Sequence, residues 1–136
     1  MMNKKRNNDL IGLADKALRN VPAPKGILEG KDIKKAYDGQ TSGLGVAIAM
    51  SGLLPALAIY YADKSEKTKV NRRAILEVIA YMINNDNDFM PKSEIKDAES
   101  LLRYAIKNNS NDLKREVEDC SIALKQVVRT YNLVEK

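Results

Sequence analysis

Apolar residues recur at helical spacing along most of the chain. Leu10, Ala14, Ala17, Leu18 and Val21 fall near one face and predict a short helix over residues 9–19, with Asp9 suited to its start and Arg19 to its end. Pro22 and Pro24 stop it, because proline lacks the backbone donor and restricts the residue before it. Residues 1–8 are polar and basic and are expected to form a disordered tail. From about residue 29 a second helix is expected, with Ile33, Ala36 and Tyr37 on one face and Lys31, Lys34 and Lys35 on the other. Residues 63–69 read as a charged linker. A helix over residues 70–84 follows, striped by Val70, Ala74, Val78 and Met82, with Ile75, Ile79 and Ile83 alongside and Arg72 and Arg73 on its outer side. Residues 85–90 are a loop closed by Pro91, and residues 93–107 a further helix with Ser93 as candidate N-cap.

The last helix, from about Asp112, has the clearest pattern. Leu113, Val117, Cys120, Leu124, Val127, Tyr131 and Val134 alternate spacings of four and three, an a/d seam that serves either a helix of the same chain or a partner. No strand-like alternation of useful length is read. The expected architecture is all-α: one domain over residues 1–136, a single small bundle of about five or six helices.

One stretch departs from the amphipathic rule. From Gly39 to Ala62 there is no charged residue, in a chain where 30% of residues are charged. A membrane span needs ~20 apolar residues, but Gly39, Gln40, Thr41, Ser42, Gly43 and Gly45 leave the first third weakly hydrophobic. Ser51, Gly52 and Pro55 interrupt the rest, and both flanks are basic, without the usual asymmetry. A nucleotide loop fails on spacing, since no Gly-Lys-Ser/Thr follows and no strand precedes. A buried core helix fits best, with small residues admitting close neighbours and a kink near Ser51–Gly52, where Pro55 removes a hydrogen bond.

Composition narrows the chemistry. The chain has no histidine, which removes the commonest general base and metal ligand. Its one cysteine, Cys120, allows no intrachain disulfide, so a reducing, cytoplasmic location is expected; it lies on the seam and reads as a small core residue. The basic N-terminus is not followed by a long apolar segment and does not read as a secretory signal. Net charge is +5 and the isoelectric point about 9.3, which permits polyanion binding. The acidic residues Asp86, Asp88, Glu116, Glu118 and Asp119 read as solvated charges, and no metal or cofactor is expected. Tyr37, Tyr60, Tyr61 and Tyr81 read as core residues rather than base-stacking platforms.

Tyr37-Asp38-Gly39, Ser42-Gly43-Leu44-Gly45 and the run Met50-Ser51-Gly52-Leu53-Leu54-Pro55-Ala56-Leu57-Ala58-Ile59-Tyr60-Tyr61 together resemble the small helical subunit of the type III-B CRISPR effector, the Cmr complex. Proline at position 55 departs from the pattern of some members. The resemblance is densest from Ile33 to Asp63; elsewhere it rests on length and helical character. It implies a non-enzymatic subunit of an antiviral ribonucleoprotein. Copies would stack along the filament beside the crRNA-bearing backbone subunits, which cut the target, and would help to hold crRNA and target RNA. The candidate RNA contacts are the cations flanking the uncharged stretch: Lys31, Lys34 and Lys35 before it, and Lys64, Lys67, Lys69, Arg72 and Arg73 after it. Whether these two sets border one surface or opposite ends is open from sequence. Arg103, Lys107, Lys114 and Arg115 form a second candidate set. The competing reading is a helical adaptor that binds only protein, through the seam of the last helix.

Overall fold

The computed structural model describes residues 2–62, 71–89 and 94–135. It contains six helices and a small sheet, in the order α1 (Lys4–Asn20), β1 (Leu28–Glu29), β2 (Asp32–Lys34), α2 (Ala36–Ser51), α3 (Leu53–Ala62), α4 (Arg72–Asn84), α5 (Ala98–Lys107), α6 (Asn111–Val128) and β3 (Asn132–Val134). α1 packs on α4 and α6, α2 on α3 and α6, and α5 on α3 and α4. The helical bundle expected from the periodicity is therefore present, and its core is aliphatic, with Leu10, Leu18, Leu44, Ile48, Leu57, Ile75, Ile79 and Leu124 all essentially inaccessible.

The uncharged stretch breaks where expected. Gly52 takes φ 92° and ψ 168°, ending α2 and redirecting the chain into α3. α3 turns back along α2: the Tyr60 hydroxyl donates to the carbonyl of Gln40 at 2.7 Å. The absence of a Cβ at Gly43 allows this approach, because one placed there would lie 3.0 Å from that hydroxyl. The stretch is not enclosed on all sides, however. Its buried residues on α2 are Tyr37, Thr41, Leu44 and Ile48, a single stripe, while Val46 and Met50 are 57% and 81% exposed. The helix buried on most of its surface is α4, from Ala74 to Ile83, where aliphatic residues fall on every face except those of Glu77 and Tyr81.

Four expectations are corrected. The first is the N-terminal tail, which is helical from Lys4: Asn3 caps α1 by accepting from the Arg6 amide at 2.8 Å. The second is the helix expected from about residue 29, which is a hairpin followed by a late helix start. Gly30 at φ 66° makes a two-residue turn with Lys31, pairing Leu28 with Ile33 and Glu29 with Asp32. Burial of Ile27, Leu28 and Ile33 outweighs the helical face that the lysines suggested.

The third is the last helix, which stops at Val128. Tyr131 and Val134 leave the seam for a turn and β3, which pairs parallel to β2. From Leu113 to Val127 the seam is buried within the chain. The fourth is the start of α5, at Ala98 rather than residue 93. Asp97 caps it in a reciprocal box with Ser100, while Ser93 lies outside the described residues. Among the described residues, no helix is long and apolar enough to cross a membrane.

Candidate nucleic-acid interface

The hairpin geometry of α2 and α3 decides where the flanking cations meet. Because α3 returns alongside α2, the end of α3 and the start of α2 lie at the same end of the molecule. One contact closes that end: the backbone N–H of Asn71 donates to the Tyr37 hydroxyl at 3.1 Å. Asn71 also caps α4, its side chain accepting from the Arg73 amide at 3.0 Å. Lys31, Lys34, Lys35, Arg72 and Arg73 thus gather at one end of the bundle. Lys64, Lys67 and Lys69 lie outside the described residues.

The cations gathered here are not equivalent. Lys31 is exposed at the hairpin turn and Lys34 is half-buried beside it; among the described residues neither makes an ion pair. The Lys35 amine lies 3.3 Å from Glu135 in an exposed pair of small energetic weight. The Arg72 guanidinium sits 5.0 Å from the centroid of the Tyr60 ring. Burial pushes the Tyr60 phenol up, partly opposed by the Arg72 charge. The Arg73 guanidinium lies 4.0 Å above the Tyr61 ring, and its Nε donates to the Tyr61 carbonyl at 2.7 Å. Arg73, expected as an outward phosphate ligand, is a structural clasp between α3 and α4. Arg129 belongs to the same end, its Nε 2.9 Å from Asp38. No local sequence signal pointed to it, because it was read as the interior of a longer last helix. The first turn of α2 has no side-chain cap and directs its positive end to this surface. Arg103, Lys107, Lys114 and Arg115 lie around the α5–α6 turn, at the opposite end of α6.

That opposite end holds the densest electrostatics of the structure. Arg6 reaches Glu116 at 2.8 Å, Asp119 at 3.0 Å, Asp86 at 3.3 Å and the exposed Asp88 at 3.5 Å. Asp86, Glu116 and Asp119 are buried, which corrects their reading as solvated charges. Burial lowers the Arg6 pKa, but the Asp119 hydrogen bond and the charges of Glu116 and Asp86 outweigh it and hold the guanidinium above its ordinary value. Burial, with the adjacent Asp86 carboxyl, pushes Glu116 up to about 8. At Asp86 burial acts upward, and hydrogen bonds from Glu116 and the Asp88 amide more than offset it, leaving this carboxyl below its usual range. Sequence missed the cluster because its cation stands in the segment read as a tail.

Among the described residues no group of His, Cys, Asp or Glu side chains is placed to hold a metal. Cys120 is buried, and burial raises its thiol well above the usual value, as befits a core residue and not a nucleophile.

No curated protein and no solved structure matches the chain. A family model does, that of the CRISPR-associated protein Cas_Cmr5, over residues 12–129, from the middle of α1 to the end of α6. The chain therefore belongs to this family, the small subunits of the type III-B CRISPR Cmr complex.

Proposed function

We propose that this subunit, without a catalytic site of its own, holds crRNA and target RNA in the Cmr complex through the basic end of its bundle. The family implies association with other Cmr subunits and with crRNA. The observation that supports this surface is the Asn71–Tyr37 hydrogen bond, which draws the two cation sets together. Lys31 and Lys34 meet phosphates directly. Arg72 and Arg73 present charge from fixed positions on Tyr60 and Tyr61, and Lys64, Lys67 and Lys69 belong to the same set. Such contacts neutralise phosphates without reading bases, as suits a protein that must accept any guide sequence. Stacking of further copies along the filament rests on the family resemblance. The adaptor reading loses its proposed surface, because the seam of α6 is buried against α1, α2 and α4.

The test is binding of a fluorescent single-stranded RNA at several salt concentrations, for the native chain and for Lys31→Glu/Lys34→Glu. Loss of two phosphate contacts lowers the log–log salt slope by about 1.4. Absence of binding at low salt, or a slope unchanged in the double variant, would refute RNA contact at this end.

A further inference from the structure

The Arg6 cluster has a charge imbalance. One guanidinium from α1 faces three buried carboxyl groups: Asp86 from the corner after α4, and Glu116 and Asp119 from α6. Asp86 and Glu116 sit side by side on that guanidinium, its Nη1 3.3 Å from the Asp86 carboxyl and its Nη2 2.8 Å from that of Glu116. Two carboxylates in contact away from water repel, and a shared proton turns that repulsion into a hydrogen bond. The surroundings supply little other relief. Asp88 adds a further negative charge at the solvent edge, and Cys120, one turn along α6 with its Sγ 3.8 Å from Glu116, is neutral and buried. Beyond them lies an open cleft of about 600 Å³, whose wall includes Tyr104 of α5 and Asp112 and Arg115 of α6.

We propose that one proton held between Asp86 and Glu116 latches the first turn of α1 and the corner after α4 onto α6, and that its loss as the pH rises loosens that end of the bundle. With the proton in place, Arg6 faces two buried negative charges, that of Asp119 and the one shared by Asp86 and Glu116, with Asp88 at the edge. Without it, the same cation faces three buried negative charges, and the weakest attachments give way. Those are the two segments that reach α6 through side chains of this cluster: the turn carrying Arg6 and the corner carrying Asp86. Burial and the carboxyl contact place the transition near the value toward which Glu116 is pushed, about 8. Glu116 takes up its proton more readily folded than unfolded. Its contribution to stability is thus complete below the unfolded value of 4.5 and is lost as pH rises through about 8.

The test has two arms. In the native protein, carbon-detected NMR follows the Glu116 and Asp86 side-chain carboxyls and the amides of residues 3–10 and 85–89 from pH 5 to 10. The Glu116 carboxyl is expected to titrate near pH 8, with those amides shifting and losing corrected hydrogen-exchange protection over the same range. In the second arm, the thermal midpoint of the native chain falls by roughly 5–10 °C between pH 6 and pH 9 relative to Glu116→Gln, which keeps the hydrogen bond but has no proton to lose. A Glu116 carboxyl that completes its titration below pH 6 overturns the proposal, and so does a Glu116→Gln variant with the native pH slope. The first arm decides alone if the variant does not fold. Glu116 stands twelve residues before the end of α6 at Val128, so the latch lies about 18 Å along its axis from the basic end, and RNA binding there is expected to be unchanged in Glu116→Gln.

Discussion

Gly52→Ala separates two causes of the break between α2 and α3. Sequence alone assigned the kink to Pro55, whose ring removes a helical hydrogen bond. In the structure Pro55 is the third residue of α3, and the first bonded amide there is that of Ala56, which donates to the carbonyl of Gly52 at 3.3 Å. An N–H at position 55 would be among the unpaired amides of the first turn in any case. Gly52, by contrast, holds φ 92° and ψ 168°, a region open almost only to glycine. A Cβ there would meet nothing closer than Pro55 Cδ at 3.9 Å, an ordinary contact, so the whole cost of alanine lies in the backbone.

That cost is about 1–3 kcal/mol. At roughly 3 °C per kcal/mol for a chain of this size, Gly52→Ala lowers the thermal midpoint by about 3–9 °C. Pro55→Ala changes stability by no more than about 1 kcal/mol, through the freedom regained by the unfolded chain. Calorimetric or circular-dichroism melts of the two variants decide the matter. A Gly52→Ala midpoint within a degree of the native value, or a Pro55→Ala loss larger than that of Gly52→Ala, would refute the assignment.

Leu57→Asp places a charge at a fully buried position and is expected to abolish cooperative melting, a loss above about 4 kcal/mol, whereas Leu54→Asp, at a half-buried position, gives a folded but weaker protein. Arg73→Lys keeps the charge but loses the planar stack on Tyr61 and the aligned bond to its carbonyl; urea melts should show a loss of about 1 kcal/mol, and an unchanged midpoint would mean that the clasp contributes nothing. Cys120 in the native protein should react with a thiol reagent only at the rate of unfolding; labelling that is fast and independent of denaturant would contradict its burial.

The parts of the fold legible in the sequence were those governed by local period. The stripes of α1, α4 and α6 are one-dimensional patterns, and each lies buried in the structure. What was not legible depended on partners far along the chain. The hairpin at Gly30 is held by β3, which begins about a hundred residues later, so no window around Lys31 records that Ile33 pairs with Leu133. Arg6 shows the same limit in its charges. Beside Lys4 and Lys5 it reads as one more solvated cation, and only the return of α6 brings Glu116 and Asp119 against it.

The basic end combines both cases. Its cations were visible as a list, but their convergence follows from the turn at Gly52, and the commitment of Arg73 to Tyr61 follows from the meeting of α3 and α4. An uncharged run was read as an enclosed helix for a related reason. The run lacks charges, yet Val46 and Met50 point outward, because burial is set by which neighbours pack on a helix and not by the helix alone. The outward apolar residues and the gathered cations therefore lie on different parts of one hairpin. Substitutions at Val46 or Met50 leave the salt dependence of RNA binding untouched if the basic end alone holds RNA, and a changed slope in either variant would extend the RNA surface along α2.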